Sequence, residues 1–259
     1  MNAGKKSAVR HYHQRLADIG FPKFNDYFQA EKKTVEFLAN SGELASAGNE
    51  FSDKMQVLYS KICAWDKCTQ EKMRPFCLDF YGTIESNVES RKSAMTSAKK
   101  FHRVGLGACV RLNKKQQLLF STFVIEIFGE SKSKCADKLL TRIHFDIASP
   151  EGEEDSRFPI YHVQFGGNPE AGREYSQNHS DIKSLSYPRV MSYPLSLALF
   201  FDLAFRELGC DAVRGLVKDH GWRNIVHDHE RMMLYPCLDE VLRQCRNDKT
   251  NLSDVYYGS

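Results

Sequence analysis

The chain has 259 residues, 42% hydrophobic and 27% charged, with 36 Lys and Arg against 33 Asp and Glu. These proportions belong to a folded globular protein and exclude disordered and fibrous classes. The charge is uneven, with 20 cationic against 14 acidic residues in 1–130 and 16 against 19 in 131–259, but a bias this diffuse falls short of the concentrated basic footprint of a dedicated nucleic-acid binder.

The start of the chain, where Lys5, Lys6 and Arg10 lead into polar residues, has no signal-peptide pattern. The eight cysteines, at 63, 68, 77, 109, 135, 210, 237 and 245, have no CxxC spacing. Together these predict reduced thiols and a cytoplasmic setting. The longest apolar stretch, Leu195 to Phe205, is interrupted by Ser196 and Asp202 and is shorter than the ~20 residues a membrane span needs.

In chain order, the first hundred residues read as helical. Helices are predicted over Ala8 to Ile19, Asp26 to Leu44, Ser52 to Trp65 and Thr69 to Lys100, with Asn25 and Ser52 as N-caps and breakers at Gly20, Gly42, Gly48 and Pro75. From Arg103 the pattern changes to short runs rich in β-branched and aromatic residues. Val104 to Leu112, Leu118 to Phe128, Leu139 to Ile147 and Ile160 to Gly166 predict four successive strands in an antiparallel meander. The acidic run Glu151 to Asp155 reads as a solvated loop, and Asn168 to Tyr193 shows no periodicity. A helix from Pro194 to Leu208 is apolar on nearly every side, which makes it the central helix packed on the sheet. Within it, Asp202 demands a cationic or hydrogen-bonding partner, or a place at an exposed edge. Shorter helices over Ala212 to Lys218 and Glu230 to Arg246 complete the chain.

Polar side chains concentrate on two neighbouring strands. Side chains alternate faces along a strand, so Arg142, His144 and Asp146 share one face of the third run, and His162 and Gln164 share one face of the fourth. Two histidines can divide general-base and general-acid work. Cleavage of RNA needs that division, together with a cation on the phosphate, for which Arg142 suits; Asp146 would orient a ring, and Gln164 would hold a base, sugar or phosphate oxygen. Gly166-Gly167 would turn the chain or bring backbone close to a ligand. Beyond it, His179 and Arg189 come within reach if their loop folds back, and Lys99, Lys100 and Arg103 form the end of a basic strip suited to phosphate contact. The cluster His220, His227, Asp228, His229 and Glu230 matches no established metal spacing. No metal and no cofactor is therefore assigned, and Trp222 reads as a packing anchor.

The order of a strand carrying IHFD, a strand carrying YHVQFGG, the segment NHSDIKSLSYPRV and the apolar helix YPLSLALFFDLAF resembles the small TumE-type toxins of bacterial toxin-antitoxin pairs. The resemblance covers about residues 138–208 and implies a place in bacterial conflict or defence systems.

The reading is thus an α+β protein in which an amino-terminal helical layer and the Pro194 to Leu208 helix cover the apolar face of a four-stranded antiparallel sheet, whose polar face stays partly open. Its parts are a helical region over 1–102, a sheet with carboxy-terminal helices over 103–246 and a tail over 247–259. For function the expectation is an interaction subunit of a bacterial multi-protein defence or toxin-antitoxin-like system, binding a protein partner through its polar sheet face and helical half. The alternative is a metal-independent ribonuclease-like toxin with RNA as substrate and His144 and His162 as acid and base.

Overall fold

The computed structural model describes residues 21–47, 49–69, 76–86, 101–112, 118–129, 138–147, 161–166 and 190–247. Three helices open it: α1 (Phe24–Ala39), α2 (Gly42–Ala47) and α3 (Asn49–Thr69). Six strands follow, β1 (Phe76–Glu85), β2 (Phe101–Leu112), β3 (Leu118–Gly129), β4 (Lys138–Ile147), β5 (Tyr161–Phe165) and β6 (Val190–Met191). The chain continues with α4 (Leu197–Leu208), α5 (Asp211–Leu216), α6 (His220–His229), a π turn over Glu230–Leu234 and α7 (Tyr235–Asn247).

The class is α+β as expected, with a larger sheet. All six strands lie in sequence order and every pair is antiparallel. The helix predicted over Thr69 to Lys100 is corrected at its centre, where Phe76, Leu78, Phe80 and Ile84 alternate with Cys77, Asp79, Tyr81 and Glu85 as buried and outward positions of a strand. That strand pairs with β2 along ten positions from Phe76↔Leu112 to Glu85↔Arg103, so the sheet begins well before residue 103. The proposed helix over Ala8 to Ile19 and the acidic run at 151–155 lie outside the described residues.

One sheet face is apolar. Leu78, Phe80, Ile84, Val104, Leu106, Ala108, Val110, Phe123, Ile125 and Ile147 are buried there with residues of α1, α3 and α4. Aromatic rings join the layers: Phe51 of α3 meets Phe80 of β1 edge-on at 5.3 Å and Phe201 of α4 at 5.8 Å. Burial of this size, roughly 25 cal/mol for each Å² of apolar surface, is the term that holds helices to sheet.

Helix α4 is buried as expected, although it begins three residues after Pro194. Its first turn is satisfied twice over: Leu199 N–H donates to the Ser196 hydroxyl at 3.3 Å, and Leu197 N–H donates to both carboxylate oxygens of Glu31 at 3.1 and 3.2 Å. Similarly, α1 starts at Phe24 and α3 at Asn49, so neither Asn25 nor Ser52 is a cap. Asp202 finds its partners in helices: it accepts from Trp222 Nε1 at 2.9 Å and from Arg206 Nε at 2.6 Å. Trp222 is fully buried, which makes it the packing anchor expected. Among the described residues no helix is long and apolar enough to cross a membrane.

Candidate functional site

The second sheet face carries the polar residues, and strand register decides which of them meet. Across β4 and β5, His144 pairs with Gln164 and Asp146 with His162. Across β3 and β4, Glu126 pairs with Arg142 and Thr122 with Asp146. Arg142, His144, Asp146, His162 and Gln164 therefore do share one face, and Glu126 joins them from a strand whose apolar run concealed it.

Two contact groups result. In the first, His144 Nδ1 lies 2.7 Å from Asp146 Oδ2, and its Nε2 lies 2.9 Å from the carbonyl oxygen of Gly166. His162 Nε2 approaches the same Asp146 Oδ2 at 3.7 Å, and Asp146 Oδ1 is buried with no hydrogen-bond partner among the described residues. Gly166 holds a positive φ of 76°, a conformation that a Cβ disfavours. Its N–H donates to the Arg142 carbonyl at 2.8 Å while its own carbonyl turns back onto His144. The glycine is thus both the strand's end and a ligand to the histidine.

In the second group, Arg142 Nε donates to Glu126 Oε1 at 2.7 Å, its terminal nitrogen lies 2.5 Å from the same oxygen, and Tyr81 hydroxyl donates to Glu126 Oε2 at 2.7 Å. Burial and the Glu126 charge push the Tyr81 phenol well above its ordinary range. Gly105, the register partner of Glu126 on β2, is what admits this ring, because a Cβ there would collide with the Tyr81 hydroxyl.

Exposure divides this face. His144 and His162 are each 3% exposed, and Arg142 and Glu126 are buried too. Toward the β1 edge, Cys77, Asp79, Glu85, Arg103 and Arg111 are exposed. The face is partly open, then, but at the end away from the histidines. Arg103 lies there with its guanidinium 5.2 Å over the Phe128 ring. Expected contributors His179, Arg189, Lys99 and Lys100 lie outside the described residues.

The open end holds a group that went unrecognised in the sequence. On β1 and β2, Asp79 pairs with Cys109 and Cys77 with Arg111, and the donor atoms of Cys77, Asp79 and Cys109 lie within 4.8 Å of one another. A hydrogen bond from Cys109, aided by Arg111, brings the Cys77 thiol down to about 6. The same bond and burial push the Cys109 thiol upward.

The carboxy-terminal histidines do not converge. His229 is buried against Thr34, its Nε2 2.9 Å from the hydroxyl oxygen, while exposed His227 faces Glu230 at 3.4 Å. No protein-family model matches this chain, and no curated protein or solved structure matches it either.

Proposed function

We propose that the chain is a non-catalytic interaction subunit that assembles with a second copy of itself through α7, working within a bacterial multi-protein defence or toxin-antitoxin-like system of the kind the local resemblance implies. One observation carries the first half of this reading: both ring nitrogens of His144 are held by internal acceptors. Exchange of a proton with a bound molecule at either nitrogen would first break a contact inside the fold, which weighs against this ring as a general acid or base. The contacts that cross between the strands, His144 Nε2 to the Gly166 carbonyl and His162 Nε2 to Asp146, serve instead to fix the register of β4 against β5, and the docking surface moves from the centre of the sheet to a helix.

That helix is α7. Cys237 and Val241 face the core, while Tyr235, Leu238 and Leu242 are 43%, 41% and 48% exposed. Spacings of three, four and three residues from Tyr235 through Leu238 and Leu242 to Cys245 make a second apolar stripe beside the buried one. The stripe is symmetric about position 240. In an antiparallel pair Tyr235 would meet Cys245 and Leu238 would meet Leu242 of the other copy, as a two-fold contact requires. Exposed Asp239 and Arg246 flank the stripe, and the same arrangement brings Arg246 of each helix within reach of Asp239 of the other.

Sedimentation of the purified chain is expected to show a dimer. Joint replacement Leu238→Asp and Leu242→Asp should weaken it at least a hundredfold, since placing carboxylates in an apolar seam costs about 3 kcal/mol or more. A wild-type monomer at about 100 µM, or a dimer indifferent to both substitutions, would overturn the self-association.

The ribonuclease reading keeps one supporting observation. The Asp146 carboxylate lies between His144 and His162, and its Oδ1 has no hydrogen-bond partner among the described residues. In that reading Asp146 orients one ring, His144 and His162 serve as base and acid, and Arg142 stabilises the phosphate.

A further inference from the structure

The edge of the sheet offers a site of a different kind. Cys77 and Asp79 project from the edge strand β1 and Cys109 from its neighbour β2, all on the polar face. Cys109 is buried whereas Cys77 and Asp79 are exposed, so the group has a fixed floor and an open top. We propose that Cys77, Cys109 and Asp79 bind one divalent ion of the zinc class, two thiolates and one carboxylate leaving a fourth position open to solvent.

Donor chemistry and spacing both favour this ion. Thiolates select zinc-class ions over magnesium or calcium, and a carboxylate completes a borderline-soft set. Zinc holds sulfur at about 2.3 Å and carboxylate oxygen at about 2.0–2.2 Å, so the donors of a tetrahedral site stand about 3.5–3.8 Å apart. The three atoms here lie within 4.8 Å of one another, and side-chain rotation of exposed Cys77 and Asp79 would close the remainder. Two thiolates and a carboxylate around a divalent cation leave one net negative charge. Arg111, the register partner of Cys77, already interacts with both thiols and balances it.

A disulfide fits the same pair less well. Cys77 and Cys109 are diagonal neighbours, because their direct partners are Arg111 and Asp79. Diagonal positions on paired strands are about 7–8 Å apart, beyond the roughly 4.4–6.8 Å between the α-carbons of a disulfide. An ion bridging two sulfurs spans that diagonal without moving the backbone, and it would clamp the edge strand onto β2.

Cobalt(II) is the probe, since thiolate coordination gives an intense charge-transfer band. Titration of the reduced full chain is expected to saturate at one ion per chain and to be reversed by zinc. Cys77→Ser should remove most of the band, Asp79→Asn should weaken binding by about tenfold or more, and zinc should raise the melting temperature of wild type but not of Cys77→Ser. Cys77 is exposed, so its substitution tests the site even if Cys109→Ser fails to fold. An unchanged band in Cys77→Ser, the lack of one-to-one saturation by folded wild type, or a Cys77–Cys109 crosslink in peptide maps of metal-exposed reduced protein would overturn the proposal.

Discussion

Replacing Glu126 with Ala is expected to lower the unfolding free energy by about 3–5 kcal/mol, the usual cost of breaking a buried ion pair from one side. The Glu126 and Arg142 side chains are 2% and 0% exposed, joined through Oε1, and Tyr81 hydroxyl donates to the other oxygen. Loss of the carboxylate removes the charge that meets a guanidinium in the interior, and the acceptor of the half-buried Tyr81 phenol. Removing both charges together is a different experiment. Glu126→Leu with Arg142→Met fills similar volume with apolar atoms, and such exchanges are often neutral or stabilising. Urea denaturation should therefore place the double variant within about 1 kcal/mol of wild type and well above Glu126→Ala. Equal losses in the single and double variants would show that the two groups are not coupled.

Two buried groups are expected to give the pH dependence of stability opposite signs. Burial pushes the Glu31 carboxyl from 4.5 up to about 7, against the hydrogen bonds from Tyr27 and Leu197 N–H that draw it down. Its contribution to stability is complete below about pH 4.5 and is lost as pH rises through 7. Burial brings the His229 imidazole from 6.5 down to about 4, with Lys33 adding to the effect. That contribution is complete above about pH 6.5 and is lost as pH falls through 4. Each displacement is worth about 3 kcal/mol, and between about pH 4.5 and 6.5 the two slopes oppose and nearly cancel.

Single substitutions should unmask them. Glu31→Gln, which keeps an acceptor for Leu197 N–H, should give a protein whose stability rises with pH by about 3 kcal/mol from pH 4 to 6.5. His229→Gln should give one whose stability falls by a similar amount from pH 4.5 to 7. Denaturation at a series of pH values reads both slopes. Parallel profiles in the two variants would show that these groups do not set the pH response.

Much of the sheet is legible in the sequence because alternation survives in it. Arg142, His144 and Asp146 against Ile143 and Phe145 give β4 its two faces, and His162 with Gln164 does the same for β5. The hairpin that joins the two faces follows from adjacency alone. Strand β1 carries the same signal in Phe76, Leu78, Phe80 and Ile84, yet it stands within a stretch whose Lys, Glu and Met content favours helix. Pro75, a breaker that the predicted Thr69 to Lys100 helix runs across, stands immediately before it.

Contacts that depend on register are less accessible. Glu126 sits amid Val124, Ile125 and Ile127, and only the pairing of β3 with β4 sets it against Arg142. Cys77 and Cys109 are separated by 32 positions in the sequence and come together through one specific alignment of β1 with β2. No spacing rule encodes that alignment. The depth of the histidine pair is equally hidden, since alternation tells which residues share a face but not whether that face is covered.

The claim that this polar centre holds the fold together and performs no chemistry is tested most directly by incubating the purified chain with single-stranded RNA in the presence of a chelator, from pH 5 to 8. Wild type and His162→Ala are both expected to leave the RNA intact. Cleavage by wild type with a bell-shaped pH profile, lowered by roughly 10²–10⁴-fold in a folded His162→Ala protein, would contradict the account and make His144 and His162 a catalytic pair.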